Sequence, residues 1–483
     1  MDVLFDWMPW IGQRGTWLIA GVVAAAVPSL WMWGFTVDDA LISVRYARHV
    51  AAGLGWRFDV GGPATDGVTP LPWPLLLAPL ARADALTVLA RSKALGMVAW
   101  CVAAGALGRS MSARTAAPAW ARAAALLALA LSMPVAAHAV TGMETAVATS
   151  LATFAALQTR RAYLAAALAG LAASLRPEMA PWAVVLAVGL ALAARRRVAS
   201  AVTAAAIALG PFAACALVRL AVWGRPGPLA LLAKPGDLEH GVAYAGAACV
   251  AAVVPVLVLA PRALRRAPVA FVLVLAGAAH VAAIAAAGGD WMHYFRLIVP
   301  VVPSLAWAAV LLAEHAHPLA TAARSIAAVG LGVLLVVLDR GGADWRRVGA
   351  DRAALVAAAR APLSGRTRIA SLDVGWVGAA TEADVLDLGG VTDPEIAALP
   401  GGQTSKRVDG ILLVDRGADA LLLYAPRGLP AEGLGAWSEA RYGRSAVEAR
   451  LAADATVMRR FEPAAWLALG PSGAGYVLLR ARP

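Results

Sequence analysis

What most constrains this chain is the recurrence of apolar stretches that carry almost no charge. They run at roughly 17–34, 85–107, 119–139, 143–157, 162–175, 179–194, 198–218, 241–260, 267–287, 297–313 and 321–338. A segment of about 20 apolar residues, coiled as a helix, spans the ~30 Å hydrocarbon core with every backbone polar group satisfied internally. Eleven such stretches, several of them short, predict a polytopic α-helical membrane protein. With 60% hydrophobic and 15% charged residues, the chain has too little polar surface to cover itself in water. Arg14 and the Ala24–Ala26 run resemble a cleavable leader, but the apolar run continues to Phe35, which predicts a retained anchor.

The formal charge of +12 divides unevenly at Leu338. Up to there, 24 Lys and Arg face 13 Asp and Glu, a balance of +11; beyond it, 18 face 17, leaving +1. The positive excess belongs to the membrane part, and no basic stripe interleaved with aromatics marks a nucleic-acid surface. Cys101, Cys215 and Cys249 sit singly in apolar runs, which predicts buried thiols and no disulfide frame.

Alternate sides of the spans carry very different numbers of arginines. One side has Arg14, Arg109, Arg114, Arg122, Arg160, Arg161, Arg195, Arg196, Arg197, Arg262, Arg265, Arg266 and Arg324. By the positive-inside rule that side is cytoplasmic. The N-terminus is then inside, and the 36–84 loop and everything past Leu338 lie outside, at a bacterial plasma membrane facing the periplasm. The expected division is a transmembrane domain at 1–338, with interfacial helices in 36–84, and a small α/β domain at 339–483. Strands are expected at Arg368–Leu372, Val385–Leu388, Ile411–Val414, Ala420–Tyr424 and Tyr476–Leu479, with helices at 349–360 and 444–453.

The outward loops hold the reactive side chains. Asp38 and Asp39 close the first run and open a helix whose stripe, Ala40, Val44, Ala47 and Ala51, leaves Arg45, Arg48 and His49 to one side. That pattern predicts an interfacial helix on the outer membrane surface, with an N-terminal cap as the plain role for an acid there. Arg176-Pro-Glu178 joins two runs, where a structural cap is as good a reading as a site. Lys234 precedes Pro-Gly, and Gly288-Gly-Asp-Trp-Met-His-Tyr-Phe-Arg296 brings Asp290, Trp291, His293 and Arg296. A lone cation in such a loop is as readily a snorkelling side chain. Carboxylates, a histidine and cations at one membrane face suit transfer from a lipid phosphate, with a carboxylate removing a proton from an acceptor hydroxyl while cations hold the leaving phosphate.

Asp38-Asp39, Arg45-Tyr-Ala47 with Gly53 and Gly55, Asp66-Gly-Val-Thr-Pro70 before Trp73, Thr141-Gly-Met-Glu-Thr145, Arg176-Pro-Glu178, Lys234, Gly288-Gly-Asp-Trp291 and Asp387-Leu-Gly-Gly-Val-Thr-Asp-Pro394 together resemble the GT-C superfamily of polyprenyl-phosphate-sugar-dependent glycosyltransferases. Within it they resemble the branch holding the mycobacterial terminal arabinofuranosyltransferase of cell-wall arabinan. The resemblance rests on the order and sidedness of the motifs and covers the membrane region and part of the outer domain. It implies transfer of a sugar such as arabinofuranose from a decaprenyl-phosphate donor to a cell-envelope glycan on the periplasmic side. It also implies Asp38 or Asp39 as the catalytic Asp, with Asp38 slightly favoured as the first of the pair.

The donor phosphate is expected on Lys234, Arg176 and Arg296 with His293 nearby, and substrate contacts on Glu144, Glu178, Asp290, Trp291 and Arg45. The region after Leu338 is expected to serve the acceptor, through acids and through Trp345, Trp376 or Trp437. For Asp387 and Asp393 the plainer expectation is that they brace turns. No cofactor is expected, since the lipid-linked sugar is a substrate; Asp38, Asp39 and Asp290 could hold a divalent ion, but a monophosphate leaving group beside Arg and Lys needs one less. The alternatives are a transporter or permease, and a lipid-linked oligosaccharide ligase.

Overall fold

A computed structural model describes residues 12–194, 197–233, 236–340, 343–426 and 445–482; Lys234 and Trp437 lie outside them. The chain is mostly helical. Among the described residues, five helices are long and apolar enough to cross a membrane: α1 (Gly12–Trp31), α3 (Ala85–Ala113), α8 (Val198–Trp223), α10 (Pro268–Ala286) and α12, whose apolar part is Pro318–Asp339. Others are shorter: α4 (Ala119–Ala130), α5 (Thr145–Leu157), α6 (Ala162–Leu175), α7 (Ala180–Ala193), α9 (Leu238–Ala251) and α11 (Val302–Ala313). At about 1.5 Å per residue, helices of 12 to 14 residues reach only about 20 Å. The expected runs at 119–139 and 241–260 are each broken, the second where Val253 takes a φ of 64° and a tight turn of helix follows at Val254–Val258.

Two compact units result. The first comprises 1–33, 92–217 and 236–343; the second comprises 34–91, 218–235 and 344–483. The division therefore does not follow the chain at 338/339, because the first outer loop belongs to the same unit as the C-terminal region. In the first unit the Ala and Gly richness has a packing cause. A Cβ added to Gly21 would lie 2.1 Å from the Ala104 carbonyl oxygen, and one on Gly108 would lie 2.1 Å from that of Trp17. α1 and α3 can approach this closely only through small residues. Gly170 against Ala208 repeats the device between α6 and α8.

The second unit is built around a five-stranded sheet in the order β2-β1-β3-β5-β4. β1 (Arg368–Ser371), β2 (Asp384–Asp387) and β3 (Ala420–Ala425) run parallel, while β4 (Phe461–Ala468) and β5 (Gly475–Ala481) pair antiparallel. Four expected strands appear. The fifth, Ile411–Val414, is instead helical within Gly410–Asp415, because the Asp409 carboxylate accepts from the Leu412 N–H and starts a helix there. β4 escapes notice because Pro463 interrupts its pattern; it is an edge strand with an irregularity at Pro463/Ala465, where a proline is tolerated.

Three further helices of this unit surround the paired acids. α2 (Asp38–Ala51) packs on α14 (Val374–Ala380), and α13 (Val348–Leu363) also contacts α14. α2 is not the surface helix its stripe suggests: Asp38, Arg45 and His49 are buried along with the apolar positions. Trp376 is fully buried against Tyr476, with ring centroids 4.9 Å apart, so its indole does not offer a face to a sugar.

Candidate functional site

The first unit gathers five of the expected residues. Arg176 ends α6 in an extended conformation, which turns its guanidinium back into the unit. Its Nη1 donates to Glu144 Oε1 at 2.8 Å, and its Nε donates to Glu178 Oε1 at 2.7 Å. Glu144 directly precedes α5 but caps nothing there, because its carboxylate serves Arg176 instead. Glu144 Oε2 is buried with no hydrogen-bond partner among the described residues. Arg296 forms an ion pair with Asp290 and donates to Met143 Sδ at 3.5 Å, beside Glu144. The Asp290 charge also acts on Arg176. Three carboxylates (Glu144, Glu178, Asp290) against two guanidiniums (Arg176, Arg296) leave one negative charge.

Two histidines that the sequence reading passed over complete this region. His138, a single histidine in an apolar run, pairs its Nε2 with the His293 carbonyl at 3.1 Å. His280 lies between the carbonyls of Glu178 and Leu297, its Nδ1 3.1 Å from the first and its Nε2 2.7 Å from the second. His293 itself is an exposed residue, and Trp291 is 47% exposed. The loop carrying them is strained: Tyr294 and Phe295 take φ of 59° and 47°, in the left-handed region. The Tyr294 hydroxyl, donating to Asp339 at 2.7 Å, helps hold that geometry.

In the second unit the paired acids have different surroundings. Asp38 does not cap its own helix; its Oδ2 accepts from the Gly375 N–H at 2.7 Å and its Oδ1 from the Trp376 N–H at 2.9 Å, at the start of α14. Burial pushes its carboxyl up to about 6, with the nearby Arg352 opposing the rise and Asp373 adding to it. Asp39, the next residue, is partly exposed. Arg352 was missed by the sequence reading. Its Nε lies 3.7 Å from Asp38 Oδ1, and its Nε and Nη1 are buried with no hydrogen-bond acceptor among the described residues.

Arg45 corrects an expectation. All five of its N–H donors have protein acceptors: the carbonyls of Phe58, Gly378, Thr381 and Ala383, and Asp59 Oδ1. It clamps the first loop to the C-terminal fold and has no donor left for a substrate. Asp66 likewise accepts from Arg219 Nε at 2.8 Å, while Arg219 Nη2 holds the carbonyls of Val68 and Thr69. Asp387 accepts from the N–H groups of Gly389, Gly390 and Thr392, and Asp393 from those of Glu395 and Ile396, so both brace turns.

Among the described residues no group of three His, Cys, Asp or Glu side chains is arranged as a metal site. Compared with known protein families, curated proteins and solved structures, the chain gives no match.

Proposed function

We propose that the chain is a membrane glycosyltransferase of the GT-C kind, transferring a sugar such as arabinofuranose from a polyprenyl-phosphate donor to a glycan at the outer face of a bacterial plasma membrane. The observation that carries the reading is the buried acid and guanidinium cluster around Arg176, which includes an unpaired carboxylate oxygen on Glu144. Buried charges among apolar helices are expensive and mark function when they persist. Carboxylates accept well from sugar hydroxyls, so Glu144, Glu178 and Asp290 suit the glycosyl part of the donor.

Arg176 pairs with two carboxylates and Arg296 with one, so within the first unit the role of phosphate cation falls to Arg296. In the reaction an acceptor hydroxyl gives its proton to a carboxylate as its oxygen bonds to the anomeric carbon. The bond from that carbon to the phosphate oxygen breaks, and polyprenyl monophosphate leaves. We assign the proton acceptor to Asp39, which follows Asp38 at the start of α2 and is partly exposed.

In proteoliposomes supplied with polyprenyl-phosphoryl arabinose and an arabinan oligosaccharide, Asp39→Asn should slow transfer by roughly 10²–10⁴-fold without loss of folded protein. Transfer at the wild-type rate in Asp39→Asn would move the base elsewhere. The same buried cluster favours, as a second reading, a cation-coupled transporter. Sugar flux into vesicles with no new glycosidic bond would select it.

A further inference from the structure

The first unit carries a second feature, formed by its helices α1, α4 and α12. Helices α1, α4 and α12 run parallel: the Ala116 N–H, just before α4, donates to Glu314, just before α12, and Gly332 of α12 meets Leu131 at the end of α4. The Arg122 guanidinium stacks on the Trp17 ring at 4.9 Å, which sets the start of α1 beside the start of α4. A groove of about 870 Å³ runs along these helices, from Thr16 to Trp31 on α1, past Leu127 on α4 and Val336 on α12. At about 1.5 Å per residue it follows α1 for about 22 Å, more than the ~15 Å hydrocarbon depth of one leaflet. Its lining is apolar apart from Thr16, and Val23 and Val27 stand exposed in it.

Arginines are gathered at the end where the three helices begin. Arg14 lies in the first turn of α1, Arg122 in the first turn of α4 and Arg324 in the second turn of α12. The Nε of Arg122 and the Nε of Arg324 are each buried without a hydrogen-bond acceptor among the described residues. A buried N–H without an acceptor is unfavourable, and Arg122, which stacks on the groove-lining Trp17 and adjoins the groove-lining Ala123, suits with Arg324 an anionic oxygen at this end of the helices. The one carboxylate shown at this end, Glu314, already accepts from the backbone.

We propose that this groove is a binding site for an anionic phospholipid, with its acyl chains along α1, α4 and α12 and its phosphate on Arg122 and Arg324. Among the described residues, three guanidiniums against one carboxylate at this end favour a lipid of net negative charge over a zwitterionic one, whose choline or ethanolamine cation they repel. These arginines fall on the arginine-rich side of the chain, opposite the loops of the proposed transfer reaction. The site therefore stands or falls independently of glycosyl transfer.

The test uses the delipidated full chain in neutral detergent, with binding read by native mass spectrometry and by thermal unfolding. Phosphatidylglycerol should bind about ten-fold more tightly than phosphatidylcholine of the same acyl chains, and should raise the unfolding temperature more. Arg122→Ala with Arg324→Ala should erase that preference and leave phosphatidylcholine binding unchanged. The Lys versions should keep most of the preference, and Ala24→Trp, which fills the groove, should weaken both lipids. If the double Ala variant does not fold, salt titration of the wild type decides, since the preference should fall as ionic strength rises. Equal binding of the two lipids, a preference insensitive to salt or to the substitutions, or displacement by polyprenyl monophosphate at lower concentration would each overturn the proposal.

Discussion

Asp38 shows how the partners of one carboxylate separate it from its neighbour. Two backbone N–H groups hold its oxygens in a buried position, and the carboxyl titrates near 6 instead of near 4 because burial disfavours its charge. Between those values the folded chain holds a proton that the unfolded chain has released. The stability from this group is therefore complete below about pH 4 and is lost as pH rises through about 6. Asp38→Asn cannot titrate. Its deficit relative to wild type in thermal unfolding should shrink by on the order of 2–3 kcal/mol between pH 4 and pH 7. A deficit that grows over that range would mean the folded state prefers the carboxylate. Arg45 behaves in the opposite sense, as a cation with every donor used. Arg45→Lys keeps the charge but supplies three donors for five acceptors, so it should destabilise by about 1–3 kcal/mol for each buried carbonyl left bare, measured by thermal unfolding.

Among the elements, the contact of α2 with α14 depends on glycine. A Cβ on Gly375 would lie 2.2 Å from the Asp38 carbonyl oxygen, and one on Gly378 would lie 2.7 Å from Arg45 Nη1. Gly375→Ala should push the helices apart and destabilise by roughly 1–3 kcal/mol or more in thermal unfolding, whereas Gly417→Ala, where no atom lies within 4 Å of the added Cβ, meets only the strain of its φ of 68°. None of this contact was legible in the sequence, because periodicity reports how apolar positions space along a helix and not what a distant segment places against its polar face. Asp38 and Arg45 read as outward residues since their partners on α14 lie more than 300 positions away. The long apolar helices, four of the five strands and the turn-bracing Asp387 and Asp393 were legible because local pattern and local hydrogen bonds determine them. Ile411–Val414 was not, since four apolar residues satisfy a strand or a buried helical turn equally, and the capping Asp409 decides between them. Among the candidate residues, Glu144, Arg176, Glu178, Asp290 and Arg296, which cluster in the first unit, stand out by charge in apolar surroundings. Arg352 was hidden within an ordinary-looking charged helix.

At the scale of the whole molecule, sidedness and the division into units make separate predictions. In a background with Cys101, Cys215 and Cys249 replaced, a cysteine at the exposed Ser364 should react with a membrane-impermeant thiol reagent in intact cells, and one at the exposed Arg160 should not. The reverse pattern would put Asp39 on the side where nucleotide sugars are available, and the polyprenyl donor would lose its rationale. The second prediction concerns a chain cut after Arg340. A boundary at 338/339 would let such a cut spare the first loop, but residues 34–91 share their unit with 344–483. The cut removes Gly375 and Trp376 from Asp38, and the carbonyls of Gly378, Thr381 and Ala383 from Arg45. A buried carboxylate and a buried guanidinium would each lose most of their partners, a loss of the kind that is unfavourable by about 3–5 kcal/mol per site. The truncated protein should therefore show rapid proteolysis within 36–84 and no transfer, while the helices of the first unit remain resistant. Resistance of 36–84 equal to that of the full chain would show that the first loop folds without the C-terminal sheet.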